Sequence, residues 1–208
     1  AEILKQSRDA QRLSDLKVVK DALVFYVART TTPDFDGPNY SNGCGSMWWW
    51  SQAGSAGTSF QPFQAPKPNS ISSQPAPNPI AVNGSGWVPV DFSDPAIFQN
   101  PPIPKLPVDP NPDTNNPLAP LTISSDPTGR YYAYTCNANA KTFELNASME
   151  SQKYSYGGAK DVESADGGTA ACSGTGNITA RCSDLLSLPS IPKSNFVYEI
   201  GNDPGLDL

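Results

Sequence analysis

The sequence of 208 residues contains no histidine. This absence removes Ser-His-Asp and Cys-His nucleophile activation, the H-E-x-x-H zinc proteases and most general-base schemes near neutral pH. No G-x-S-x-G, G-x-G-x-x-G or P-loop motif occurs, so neither a nucleophile elbow nor a phosphate cradle is indicated. Paired carboxylates brought together by folding are the remaining catalytic option, but no pattern favours them. We therefore expect that the protein is not an enzyme.

Charge and long apolar runs are also scarce. Charged residues make up 16% of the chain, and the formal net charge is −6. An acidic chain without a clustered basic patch is not suited to binding phosphate backbones, so no nucleic-acid partner is predicted. No segment approaches the ~20 apolar residues that span a bilayer, and no signal-peptide pattern is present. The 22 prolines and 16 glycines predict a single domain (1–208) with a modest core and much irregular structure.

The four cysteines, Cys44, Cys136, Cys172 and Cys182, show no C-x-x-C spacing. With no histidine to complete a zinc site, two disulfides are the natural interpretation. Of the three possible connectivities we favour Cys172–Cys182 as a local clasp, together with Cys44–Cys136. Disulfides imply an oxidising compartment outside the cytoplasm. Four buried free thiols are the alternative.

Residues 1–30 carry the pattern of a long amphipathic helix. Apolar side chains recur at steps of three and four residues and form one stripe for packing or assembly: Leu13, Leu16, Val19, Leu23 and Val27. The run Thr30-Thr31-Thr32-Pro33 ends the helix. No convincing N-cap precedes it, so we expect the helix to start before the sequence does.

Residues 33–127 read as a loop region rich in proline and aromatic residues. Turn dipeptides recur here, and 17 of the 22 prolines lie between positions 62 and 127. The cluster Trp48, Trp49 and Trp50 has two interpretations. The rings could stack on glycans or line a partner's groove at the surface, or they could fold over the excursion beside Cys44.

Residues 128–208 change to a strand pattern. Short β-type runs at 130–136, 141–150 and 195–201 predict a small antiparallel sheet, with a turn at 137–140. One long helix packed on such a sheet is an α+β fold. The loop 160–168 fails the EF-hand pattern, but Asp161 and Asp166 form a weak calcium candidate; a solvated acidic turn is the alternative. No other cofactor is predicted.

The segment "SRDAQRLSDLKVVKDALVFYVA" (7–28) closely resembles the helix that follows the hydrophobic N-terminus of type IV pilins and of the major pseudopilins of type II secretion. "GWVPVDF", "PKLPVDPNPD", "YYAYT", "TFELNASMES", "DGG" and "VYEIG" follow in the order typical of bacterial pilin-like proteins. The resemblance implies a pilin-like fold whose missing upstream half is an apolar helix, membrane-anchored before assembly. The sequence departs from the family in the loop after the helix, which is nearly a hundred residues long.

The resemblance implies a structural subunit of a type IV pilus-like filament at the cell surface, with adhesion or motility as its use. Its expected partners are copies of itself, the pilus or secretion assembly machinery, and a surface or glycan ligand. A type II secretion pseudopilin is one alternative, since the sequence does not separate it from a major or minor pilin. A secreted, non-polymerising binding module or adhesin that uses the aromatic loop is the other.

Overall fold

The computed structural model describes residues 2–38, 44, 47–51, 72–75, 78–111, 131–147, 149–155, 158–160, 162 and 198–202. Within these ranges the chain forms one helix and five strands. In chain order they are α1 (Glu2–Arg29), β1 (Met47–Trp50), β2 (Ser72–Pro75), β3 (Tyr132–Asn137), β4 (Thr142–Ala147) and β5 (Tyr198–Gly201). A long helix on a small sheet confirms the α+β prediction.

The helix α1 agrees closely with the predicted segment 1–30. It is 28 residues long and ends at Arg29, which is a basic residue in the last turn and complements the negative end of the helix dipole. The amide of Thr30 still donates to the carbonyl of Tyr26 at 3.2 Å. Beyond it Pro33 prevents further helical hydrogen bonding.

The strands form one sheet in the order β2-β1-β3-β4-β5. Three of them, β3, β4 and β5, form the antiparallel sheet that was predicted, and β1 pairs antiparallel with β3. The hairpin between β3 and β4 is closed by the side chain of Asn137, whose Oδ1 accepts from the amides of Asn139 and Ala140, both at 3.1 Å. The sheet departs from the prediction at one edge, where β1 and β2 come from the region predicted as loop and pair with each other in parallel.

The core lies between α1 and one face of the sheet. Alternation along the strands turns Tyr134, Phe143 and Leu145 toward the helix, and all three are fully buried. The predicted alternation along 141–150 therefore assigned the apolar side chains to the buried inner face correctly. These side chains belong to one continuous hydrophobic cluster with the inner face of α1.

The region 33–127, predicted as loop, contributes both strands and core. It contains β1 and β2, and its segment 78–111 packs Trp87, Val90 and Leu106 into the core at 0% exposure. The indole Nε1 of Trp87 donates to the carbonyl of Pro107 at 2.8 Å, which satisfies its polar atom. The described aromatic and β-branched residues of this region thus share one core with α1.

Candidate functional site

The candidate site is α1 itself, which presents two chemically different faces. On the inner face Leu16, Val19 and Leu23 are fully buried in the core. Leu13 and Val27, at the margins of the same stripe, are half-buried and pack against the core. The structure therefore brings all five residues predicted from the helical spacing to the body of the protein.

The outer face of α1 exposes an unusual amount of apolar surface. Ile3 is 81% exposed and Leu4 61%, and a second group follows about four to six turns later at Val18, Val24 and Phe25, which are 39 to 46% exposed. Leu4, Val18 and Phe25 are separated by multiples of seven residues, so they share one side of the helix. Two groups of exposed apolar side chains on one side of a helix form a surface suited to another protein.

Behind this face, a cluster of charged side chains is buried where α1 meets the body. The guanidinium of Arg12 is 0% exposed and binds Asp109 in a two-pronged pair, with Nε to Oδ2 and Nη2 to Oδ1 both 2.7 Å. Its Nη1 donates to Asp9 on the preceding helical turn at 2.7 Å. Arg12 also pairs with Glu150 at 2.5 Å. One arginine thus joins the helix to two distant parts of the chain.

The first turns of α1 also hold the segment that follows β4. Asp9 accepts hydrogen bonds from the backbone amides of Glu150 at 2.9 Å and Ser151 at 2.8 Å. Arg8 binds the carboxylate of Glu150 through Nε at 2.9 Å and Nη2 at 2.6 Å. The amide of Gln152 donates to Glu2 at 2.9 Å. These contacts fix the orientation of the helix on the sheet at its N-terminal end.

The electrostatics of the cluster follow from its burial. Burial alone would lower the pKa of Arg12, but hydrogen bonds and charge attraction from Asp109 and Glu150 outweigh it, so the pKa is raised and the charge is secure. Next to the cluster, burial raises the pKa of Asp15, although a hydrogen bond from the Tyr132 hydroxyl at 2.8 Å works in the opposite direction. Burial likewise raises the pKa of Tyr132.

The surface-binding prediction for the tryptophans is wrong for Trp49 and Trp50, which are 1% and 2% exposed. The reason is that β1 is an internal strand, with Trp49 opposite Tyr134 and Trp50 opposite Ala133 on β3. The rings of Trp49 and Tyr134 lie 5.7 Å apart and pack in the core. The side chain of Trp48 lies outside the described residues.

A disulfide joins Cys44 to Cys136, as predicted. It connects the residues just before β1 to the end of β3 and so ties the aromatic strand to the sheet. The second predicted pair, Cys172 and Cys182, and the calcium candidates Asp161 and Asp166 lie outside the described residues. Within the part of the chain that the structure describes, no group of three or more acidic or cysteine side chains is placed to hold a metal ion.

Sequence reasoning missed the buried charge cluster, although a signal for it was present. Asp9 and Arg12 precede Leu16 at steps of three and four residues, so they continue the buried stripe toward the N-terminus. A charged pair on the apolar side of a helix predicts burial with partners, because an isolated buried charge is very costly. Those partners, Asp109 and Glu150, could not be identified from spacing.

The comparisons with known proteins give no relative: no family model matches the chain, and neither a curated protein nor a solved structure does. Among the described residues, no helix is long and apolar enough to cross a membrane. Any assignment of function therefore depends on the features of the chain itself.

Proposed function

We propose that this protein is a structural subunit of an extracellular pilus-like filament whose copies associate through α1. The observation that carries the proposal is the group of exposed apolar side chains near each end of the outer helix face, which range from 81% exposure at Ile3 to 39% at Phe25. Burying such a face between copies releases ~25 cal/mol per Å² of apolar area. The likeness of residues 7–28 to pilin helices, noted in the sequence, points to the same role.

The opposite face of α1 supports the proposal in a second way. A filament transmits force through the element by which its subunits associate, so that element must be fixed to the rest of the fold. The buried pairs of Arg12 with Asp9 and Asp109 provide such a fixation, at distances of 2.7 Å and with 0% side-chain exposure. The apolar stripe from Leu16 to Leu23 provides the rest.

Two further features are in keeping with a filament subunit outside the cytoplasm. The disulfide between Cys44 and Cys136 favours an oxidising compartment. On the outer face, Lys17 and Asp21 form an exposed pair at 2.7 Å, with 68% and 62% of their side chains exposed. Charges of this kind set the register between copies more than the affinity. Head-to-tail association without closure then gives an open filament.

The buried tryptophans bear on the alternative of a secreted binding module. That function requires the aromatic loop as a binding surface, whereas Trp49 and Trp50 are almost fully enclosed. The type II secretion pseudopilin is a variant of the same proposal, because it assembles through the same helix. The filament subunit is therefore the function that we put forward.

The test compares two apolar residues of equal exposure. Val18, on the outer face of α1, is 46% exposed, and Ile80, in the 78–111 segment, is 45% exposed. Cells that make the protein are given either Val18→Lys or Ile80→Lys, and surface filaments are counted by electron microscopy and by immunoblotting of the sheared fraction. We expect Val18→Lys to abolish filaments and Ile80→Lys to leave them.

Circular dichroism of each purified variant checks that the fold is intact. Filaments of normal number and length in cells carrying Val18→Lys would contradict assembly through this face. If cells that contain the unaltered protein make filaments in which it is absent, this result would contradict the proposed function as a whole.

A further inference from the structure

The face of the sheet turned away from α1 is lined by buried polar side chains. Alternation places Thr135 of β3, Glu144 and Asn146 of β4, and Glu199 of β5 on this face. All four are buried, with exposed fractions of 0 to 5%. They are also in register, since Thr135 lies opposite Glu144, and Asn146 lies opposite Glu199. Cross-strand partners of this kind have their Cβ atoms about 5 Å apart.

The amide of Asn146 is satisfied on one side only. Its Nδ2 donates to Oε1 of Glu144 at 2.6 Å. Among the described residues no donor binds its Oδ1, although Asn146 is fully buried. A buried acceptor without a donor is costly, so native proteins nearly always supply one. Two side chains lie directly across the ladder from Asn146. Ala133 on β3 has no polar atom, and Glu199 on β5 can donate a hydrogen bond only when its carboxyl group is protonated.

We propose that Glu199 keeps its proton in the folded protein and donates it to Oδ1 of Asn146, so that Glu144, Asn146 and Glu199 together bind one proton at neutral pH. The amide is the centre of this arrangement, because it has one donating side and one accepting side. Turning the amide over would exchange the roles of the two glutamates, but the number of protons held would stay at one.

The second carboxyl group on this face favours the same state. Among the described residues of β3, β4 and β5, Glu144 is the charged side chain that shares this face with Glu199. Two carboxylates on one desolvated face resist being ionised together, so the pair titrates in separate steps. Glu144, which already accepts from Asn146, is the one that stays ionised.

The first test measures urea unfolding between pH 5 and pH 9. An unfolded glutamate releases its proton near pH ~4.3, so above that value the folded protein holds one proton more than the unfolded chain. The unfolding equilibrium constant should then rise about tenfold per pH unit until Glu199 ionises. Glu199→Gln replaces the acid proton by a permanent amide donor. We expect this variant to lose the part of the pH dependence that Glu199 causes, and to be more stable than the parent at pH 9.

One variant acts as a control. Asp21→Asn removes an exposed acid, 62% exposed in its ion pair, and should leave the slope unchanged. An equal slope in Glu199→Gln and the parent would overturn the proposal.

The second test does not depend on any variant folding. The carboxyl carbon of Glu199 in the unaltered protein, followed by ¹³C NMR, should show the shift of a protonated acid at pH 7. An ionised Glu199 at pH 7 would refute the shared proton. A bound cation that satisfies Asn146 would also refute it. In that case a chelator would lower the stability of the parent, and added calcium would restore it in the parent but not in Glu199→Gln.

Discussion

Removing the guanidinium of Arg12 tests whether the buried cluster holds α1 on the body. The Arg12→Ala change deletes three hydrogen bonds of 2.7 Å, two to Asp109 and one to Asp9, and the ion pair with Glu150. Glu150 keeps Arg8, and Asp9 keeps two backbone amides. Among the described residues, Asp109, which is 2% exposed, then keeps only the amide of Asn111 as a donor. Most of the cost therefore falls on Asp109.

Breaking a buried pair by removing one partner costs about 3–5 kcal/mol, against a total stability of about 5–15 kcal/mol for most domains. We expect Arg12→Ala to lower the free energy of unfolding by an amount in that range, measured by urea denaturation at pH 7 with the disulfide intact. Arg12→Lys should lose less, because a lysine keeps the charge but not the forked geometry. Lys17→Ala, in the exposed pair with Asp21, should change stability by no more than about 0.5 kcal/mol.

A second variant identifies the origin of the loss. Combining Arg12→Met with Asp109→Asn removes the stranded carboxylate together with its partner. If that charge causes the destabilisation, the double variant should recover at least about 1 kcal/mol relative to Arg12→Met alone. A loss below about 1 kcal/mol for Arg12→Ala, or no recovery in the double variant, would refute the reasoning.

Two other predictions concern the neighbourhood of α1. Gly37→Ala should destabilise the fold strongly. Gly37 has a φ of +71°, and a Cβ atom there would lie 1.8 Å from the carbonyl oxygen of Pro89. An unchanged thermal midpoint of unfolding would argue against this packing. Asp15→Asn should stabilise the protein at neutral pH. Because the pKa of Asp15 is raised, its ionisation lowers the stability of the folded state as the pH rises above the ordinary aspartate pKa of 3.8. The side-chain oxygen of asparagine can still accept the hydrogen bond from the Tyr132 hydroxyl. The stability of this variant should fall less between pH 3 and pH 6 than that of the parent, whereas a steeper fall would contradict the assignment.

Local patterns predicted the elements whose information lies within a few residues. The steps from Leu13 to Val27 gave the buried stripe of α1, and the alternation around Phe143 gave the inner face of β4. The Cys44–Cys136 link was also among the predicted pairs. The proline-rich region was the least predictable, because turn residues mark where a chain bends but not what it packs against.

The partners of the predicted elements depended on contacts between distant residues. Arg12 and Asp109 are 97 positions apart, and Arg8 and Glu150 are 142 apart. Likewise, only the pairing of β1 with β3 decided that Trp49 belongs to the core and not to the surface. The sequence by itself determined the helix, its apolar stripe and the central hairpin, since periodicity is a property of neighbouring residues. The tertiary structure alone decided which charges are buried together and which aromatic rings are enclosed, because burial depends on segments that meet only when the chain folds.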